Sequence, residues 1–127
     1  MKVEKGLFYT EDHEWVKVEG NEVTIGLTDY AQDHLGDIVY VELPDEGDEI
    51  DAGDAVASIE SVKAASDVMT PFDGKVVAVN EDLDDEPEAV NEDPYASWIV
   101  KLEVEDADTS SLISDEDYQK MMDEMEG

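Results

Sequence analysis

The segment IESVKAASDV (Ile59–Val68) places one lysine, Lys63, among small and apolar residues, with Glu60 and Asp67 as its nearest charges in sequence. Lysine is scarce in this chain, which has seven lysines, no arginine and 37 acidic residues. A lysine amine has an ordinary pKa of about 10.4 and is a poor nucleophile unless it is desolvated. Its other chemical use is as an attachment point, because acylation removes the charge and can fix a prosthetic group to the chain. The residues alone leave both this use and an ordinary surface lysine open.

Other potentially reactive residues form weaker patterns. The acidic run Asp82–Glu86 lacks the spacing and the glycine of an EF-hand loop, so we interpret it as solvated surface. His13 and His34 are the only histidines. No nucleophile-elbow motif accompanies them, so the residues by themselves favour structural roles. The chain has no cysteine, which excludes disulfides, zinc–thiolate sites and cysteine nucleophiles. No enzyme signature is found.

Composition limits the class of protein. A chain of 127 residues with 41% hydrophobic residues has the length of one domain and enough apolar side chains for one core. The formal net charge is −30, which would repel nucleic acids and anionic membranes, so we expect neither as a partner. Acidic residues recur from Glu4 to Glu126, which indicates a folded domain with an acidic surface suited to high salt. We therefore expect a salt-loving source organism.

Targeting signals are not apparent in the sequence. No apolar run approaches the roughly 20 residues of a membrane-spanning helix. The first ten residues lack the apolar core of a signal peptide. A cytoplasmic location is expected.

Hydrophobic patterning predicts the elements that position Lys63. WVKVEGNEVTIGL predicts a β-hairpin turning at Gly20-Asn21. TDYAQDHLG predicts a short helix in which Asp29 and Gln32 form a capping box and Gly36 ends the helix. The segments DIVYVELP, KVVAVN and SWIVKLEV predict strands, with EDLDDEPEAVNEDP as an acidic loop between the last two.

Residue patterns favour helices in two further segments. The stretch from Ala52 to Ser66 is rich in alanine, so propensity favours a helix there, with two short strands as the alternative. Near the C-terminus, Ser114 caps a predicted helix of about residues 114–125. Its apolar stripe consists of Tyr118, Met121, Met122 and Met125, and we expect the methionines to make core contacts.

Several long stretches together carry a family resemblance. They are YTEDHEWV, GLTDYAQDHLGDIVYVELP, ESVKAASDV, PFDGKVVAVN and NEDPY followed by Trp98. Over about residues 7–104 the chain resembles the glycine cleavage system H proteins, the lipoyl carriers of that multienzyme system. The resemblance implies a mainly β fold, a barrel-sandwich hybrid of two antiparallel sheets with short helices and a C-terminal helix. It implies one lipoyl-bearing domain over residues 1–127, and it replaces the helix at Ala52–Ser66 with a hairpin.

The resemblance also implies a site. Lys63 would carry lipoic acid in amide linkage at the hairpin turn, within a lipoyl-site motif of Glu60, Ser61, Val62 and Ala64. The positions of Glu14, His34 and Asp67 match those of a surface cleft that receives the loaded lipoyl arm. A carboxylate there would hold the ammonium of the cargo by a charge-assisted hydrogen bond. The chain itself would be a carrier and not a catalyst.

The partners implied by the resemblance are enzymes. A pyridoxal-phosphate enzyme, glycine decarboxylase, would pass an aminomethyl group to the lipoyl arm, and a tetrahydrofolate-dependent aminomethyltransferase would remove it. Dihydrolipoyl dehydrogenase would reoxidise the arm. Lipoate-attaching enzymes would modify Lys63.

The alternatives left open are a lipoyl relay to other complexes, such as 2-oxoacid dehydrogenases, and a non-lipoylated interaction protein. A biotin carrier fits less well, because Val62 and Ala64 flank the lysine where that family has methionines. An enzyme of another class would need a nucleophile or metal site that the residues do not supply.

Overall fold

The computed structural model describes residues 2–126 of the chain. Its strands are β1 (Phe8–Tyr9), β2 (Glu14–Glu19), β3 (Glu22–Leu27), β4 (Ile38–Glu42), β5 (Glu49–Ile50), β6 (Ala55–Ser61), β7 (Ala65–Met69), β8 (Gly74–Val79), β9 (Val100–Glu103) and β10 (Ile113–Ser114). Its helices are α1 (Asp29–Leu35), α2 (Asp82–Asp85), α3 (Ala89–Glu92) and α4 (Asp115–Glu126).

The strands form two antiparallel sheets. The larger has the order β10-β1-β2-β3-β9-β8-β5, and the smaller has the order β4-β6-β7. One apolar cluster contains buried residues from both sheets, including Val16, Ile25, Val41, Ile59, Val68 and Leu102. The two sheets therefore pack face to face over a shared core. The predicted mainly β architecture of two antiparallel sheets with short helices and a C-terminal helix is confirmed.

The hairpin and the first helix lie where the sequence predicts them. Strands β2 and β3 pair in register around the turn at Gly20, whose φ of 63° suits glycine. Helix α1 ends at Gly36, which has a φ of 77°, but its N-terminal cap was predicted one residue too late. The cap is Thr28 and not Asp29, because Thr28 is extended and accepts from the N–H of Ala31.

The helix that alanine content favours at Ala52–Ser66 is wrong. The segment forms β6 and the start of β7, and β6 lies in the middle of the smaller sheet. Val56 and Ile59 are buried in the shared core, with relative exposures of 3% and 0%. Pairing on both edges and this burial outweigh the weak helix propensity of alanine.

The acidic segment between β8 and β9 is not a plain loop. It contains α2 and α3, each anchored by one buried apolar side chain, Leu83 in α2 and Val90 in α3. Leu83 and Val90 are isolated apolar residues in an otherwise polar sequence. The segment therefore shows no apolar periodicity from which the two helical turns could be predicted.

The C-terminal helix packs on the larger sheet through aromatic contacts. The ring of Tyr118 stacks on Tyr9 at a centroid distance of 4.3 Å, and Met122 is fully buried. Ser114 caps the helix, since its Oγ accepts from the N–H of Asp117 at 3.2 Å. The expectation that all these methionines contact the core is wrong for Met125, which is 52% exposed in the last turn of α4.

Candidate functional site

Lys63 lies at the tip of the β6–β7 hairpin, in a three-residue connection with Val62 and Ala64. All three are exposed. The last residue of β6, Ser61, holds the turn from one side. Its hydroxyl accepts from the backbone N–H groups of Lys63 at 3.2 Å and Ala64 at 3.1 Å. The Ser61 N–H also donates to the carbonyl of Ala64 at 2.8 Å. The backbone beneath the lysine is therefore fixed while its amine faces solvent.

The Lys63 side chain passes over the end of helix α1. A Cβ built on Gly36 would lie 3.3 Å from Lys63 Cε and 3.7 Å from Nζ. Gly36 also has a φ of 77°, which L side chains rarely adopt. Glycine at this position therefore both ends the helix and leaves room for the lysine side chain.

The residues between α1 and β4 also hold the lysine hairpin. The N–H of Val62 donates to the carbonyl of Asp37 at 3.0 Å. Asn91 of α3 binds the residues on either side of Asp37. Its Nδ2 donates to the Gly36 carbonyl at 2.8 Å, and its Oδ1 accepts from the N–H of Ile38 at 2.8 Å. Asn91 thus links the acidic segment to the lysine turn.

Sequence reasoning missed the role of Asn91. The residue lies in the matched stretch NEDPY, but its partners are more than 50 positions away in sequence. A buried valine beside it, Val90, was the available signal, because it indicates that the segment packs against the domain.

Glu14 is buried between the two sheets, at 1% exposure. Its Oε1 accepts from the Thr10 hydroxyl at 2.8 Å, and its Oε2 accepts from the N–H of Met69 in β7 at 2.7 Å. Burial raises the pKa of Glu14 to about 7, against the opposing effect of these two hydrogen bonds. The carboxylate therefore joins the sheets and titrates near neutral pH.

His34 lies on the exposed side of the last turn of α1. The centroid of its ring lies 4.1 Å from the Tyr30 ring centroid, and the centroid of the His13 ring lies 4.3 Å from that of Tyr30. Burial and the nearby His34 lower the pKa of His13, whose Nδ1 lies 2.9 Å from the Tyr118 hydroxyl. His34 thus ends a short aromatic row that extends inward from the surface.

Asp67 is exposed on β7, where it lies opposite Ser58 of β6. Ser58 in turn donates to Glu42 of β4 at 3.3 Å, so Asp67 belongs to a polar row across the smaller sheet. Within residues 2–126, no hydrogen bond joins Asp67, Glu14 and His34 to one another. Glu14 reaches β7 two residues further along, at Met69.

The remaining polar clusters form no metal centre in the described part of the chain, where no three carboxylate or imidazole groups lie close enough to hold an ion. In the same range, no helix is both long and apolar enough to cross a membrane.

Comparison with known proteins agrees with this geometry. Residues 7–125 match the sequence model of the family described as glycine cleavage H-protein. Proteins named glycine cleavage system H protein are similar to the chain. One from Listeria monocytogenes is 57% identical over 97% of this chain and all of its own length. One from Thermoanaerobacter is 54% identical over 98% of this chain and 99% of its own.

A solved structure agrees as well. The crystal structure of a glycine cleavage system H protein from Mycobacterium marinum superposes with a TM-score of 0.86 at 31% identity, covering 95% of this chain and 99% of its own. The matches extend over both sheets and the C-terminal helix, so they concern the whole architecture and not only the hairpin. The chain belongs to the glycine cleavage system H-protein family.

Proposed function

We propose that Lys63 carries a lipoyl group and that the chain is the mobile lipoyl carrier of a glycine cleavage system in the cytoplasm. The observation that supports this most directly is the position of Lys63 at the exposed tip of a hairpin whose backbone Ser61 holds. An attachment site needs an accessible amine on a rigid support, and the residues present fit that need. Membership in the glycine cleavage system H-protein family supports lipoate as that group.

Each residue of the lipoyl-site motif around Lys63 makes a different contribution. Ser61 fixes the turn, and Ala64 closes it through its carbonyl while adding little bulk. Val62 ties the turn to Asp37, which directly precedes the neighbouring strand β4. Glu60 lies beside Tyr40 across the strands β6 and β4 and keeps the approach to the lysine acidic.

A lipoyl group held by Lys63 would supply a disulfide able to carry an aminomethyl group and reducing equivalents, and the enzymes served would be glycine decarboxylase, the aminomethyltransferase and dihydrolipoyl dehydrogenase. The contribution of this chain is to hold Lys63 at one exposed point that each enzyme can reach in turn. Attachment to a carrier keeps the cargo at a high local concentration.

Glu14, His34 and Asp67 are proposed to contact the loaded arm. Both Glu14 oxygens already accept hydrogen bonds, so a cationic amine would share them with the Thr10 hydroxyl and the Met69 N–H. A nearby cation would also favour the ionised carboxylate and lower its pKa. If the changes Asp67→Asn and Glu14→Gln leave the lifetime of the loaded carrier unchanged, this role is wrong.

The attachment site can be tested by mass. We expect the protein from its native host to carry one lipoyl group, and a peptide map to place it on Lys63. Lys63→Arg keeps the charge but should abolish both lipoylation and glycine-dependent NAD⁺ reduction with the three purified enzymes. Lys75→Arg, at an exposed lysine on β8, should behave as the wild type.

Two results would contradict the proposal. An unmodified Lys63 in cells growing on glycine would remove the carrier function. A lipoylated protein that glycine decarboxylase does not load would keep the attachment site but assign the carrier to another pathway.

A further inference from the structure

Exposed large hydrophobic side chains are few and unevenly placed. Those in the described residues are Val39 at 53%, Tyr40 at 45%, Val62 at 66%, Val77 at 37% and Met125 at 52%. The first three lie in the lysine turn or on the strand β4 beside it. Val62 precedes Lys63, while Tyr40 pairs across the strands with Glu60, near the end of β6 that leads into the turn. We name Val39, Tyr40 and Val62 the apolar collar.

A β-bulge creates part of the collar. In regular alternation, neighbouring side chains of β4 would point to opposite faces of the sheet. The pairing with β6 shifts between Ile38 and Tyr40, which leaves Val39 as the extra residue. As a result Ile38 and Val41 are buried while both Val39 and Tyr40 are exposed. Bulges that redirect side chains are frequent beside functional sites, and this one exposes two apolar side chains that regular pairing would not expose together.

Carboxylates surround the collar. Asp37, Glu42 and Glu60 are all exposed. Asp37 directly precedes β4, Glu42 is its last residue, and Glu60 lies beside Tyr40. An apolar centre with a charged rim is the usual composition of a transient protein interface. The complementary surface would be an apolar depression bordered by lysine and arginine.

We propose that the apolar collar and its carboxylates form the docking surface for the enzyme that attaches lipoate to Lys63. This inference rests on the proposed lipoylation of Lys63. The attaching enzyme has to bring an activated lipoyl carbonyl to the bare amine, so its active-site mouth must approach within one lysine side chain of the turn. At that distance it covers the collar. Enzymes that act later meet a lysine extended by the lipoyl arm and can dock further away.

The attachment reaction consumes only lipoate and ATP besides the Lys63 amine. Lipoate and ATP form lipoyl-adenylate and diphosphate on the enzyme. The deprotonated Lys63 amine attacks the carbonyl carbon, an N–C bond forms, the C–O bond to AMP breaks, and the nitrogen loses a proton. The collar residues take no part in this chemistry, so they should affect binding and not the chemical rate.

The test compares two matched sites. Val39→Thr with Tyr40→Ser removes most of the collar from the smaller sheet. Val77→Thr is the control, because Val77 is also an exposed valine at a register shift, in β8 of the larger sheet. Calorimetric titration of the unlipoylated protein into a lipoate–protein ligase gives Kd, and the lipoylation rate gives KM and kcat. We expect Kd and KM to rise at least roughly tenfold in the collar variant, with kcat unchanged and Val77→Thr like the wild type.

A second measurement tests the rim. Binding of the wild type should weaken as KCl rises from about 0.1 M to about 1 M, and Glu60→Gln should reduce that dependence. If the collar double variant has a lower melting temperature than the wild type, the same measurements of Kd, KM and kcat are made on the single variant Val39→Thr, which changes an exposed position.

The outcomes separate this inference from the function it rests on. If the wild type is not lipoylated at Lys63, the proposed function fails. If it is lipoylated and the collar variant keeps the wild-type Kd and KM, the function stands and the docking surface is wrong. A wild-type dimer that the collar variant dissociates would also overturn the inference, because a second copy would then cover the collar.

Discussion

Glu14 shows how one residue's surroundings change its chemistry. Its neighbours in sequence include Glu11 and Asp12, two exposed acids, yet Glu14 is 1% exposed. Its side chain is the hydrogen-bonded link from β2 to the N–H of Met69 in the other sheet. Burial makes the charged form costly, and the two hydrogen bonds offset only part of that cost. The residue therefore combines a structural link with a titration near neutral pH.

Stability should fall as the pH rises through the titration of Glu14. The folded-state pKa of about 7 exceeds the unfolded value of 4.5, so the folded state binds more protons between these pH values. A shift of this size corresponds to about 3 kcal/mol. Glu14→Gln should therefore stabilise the fold above pH 7 by up to about 3 kcal/mol and change it little below pH 4.5.

Urea unfolding across this pH range, in about 1 M KCl to screen other charges, measures the effect. Glu46→Gln, at an exposed position, serves as the control and should keep the wild-type slope. Parallel pH profiles for Glu14→Gln and the wild type would contradict the raised pKa.

At the scale of elements, the lysine hairpin depends on segments that are distant in sequence. Helix α3 is one turn long and has no side-chain cap of its own. Through Asn91 it holds the junction of α1 and β4, and that junction holds Val62. The hairpin turn is therefore braced from below by Ser61 and from the side by this chain of hydrogen bonds.

Asn91→Ala should loosen the lysine turn more than its loss of stability explains. The change leaves the Ile38 N–H and the Gly36 carbonyl without a partner, which costs about 1–3 kcal/mol. We expect faster hydrogen exchange at the N–H groups of Ile38 and Val62, measured by NMR. Asn80→Ala is the matched control for Asn91→Ala. Asn80 Nδ2 also donates to a backbone carbonyl, that of Trp98 at 2.8 Å, but it lies outside this chain of hydrogen bonds.

Unchanged exchange at Val62 in Asn91→Ala, or an equal rise in Asn80→Ala, would show that the effect is not transmitted through Asp37. The comparison thus separates local support of the turn from general destabilisation.

At the scale of the molecule, charge is the dominant feature. A net charge of −30 is spread over a chain of 127 residues. The ion pairs in the described part include Lys2–Glu4, Lys17–Glu19 and Lys101–Glu22, at 3.5–3.8 Å. Such exposed pairs contribute little, and seven lysines cannot neutralise 37 acids. Mutual repulsion of carboxylates therefore opposes the compact state unless salt screens it.

The melting temperature should rise with KCl. Between about 0.01 M and about 1 M the screening length falls from about 30 Å to about 3 Å, which removes most of the repulsion. We expect a rise of at least about 5 °C, equivalent to about 1–2 kcal/mol for a domain of this size. Changing the exposed Glu105 and Asp106 to their amides should raise the melting temperature in dilute buffer more than in 1 M KCl. A melting temperature independent of KCl would refute adaptation to salt.

The sequence by itself determined the fold class, the β2–β3 hairpin, the strands β4, β8 and β9, the end of α1 at Gly36 and the capped C-terminal helix. These features depend on alternation, on turn residues and on long stretches that resemble one family, all of which are local or additive along the chain. Residue patterns without the resemblance favoured a helix at Ala52–Ser66. They also left the role of Lys63 undecided, because one lysine in a short segment carries little information.

Only the tertiary structure decided which residues support the site. It placed Asn91 beside Gly36, buried Glu14 against β7, exposed Val39 and Tyr40 through a bulge, and folded the acidic segment into two helical turns. Each of these depends on partners far away in sequence or on a one-residue shift in strand register. These long-range contacts and the burial they produce are not encoded in a local pattern, since the same residues would be solvated surface in another packing.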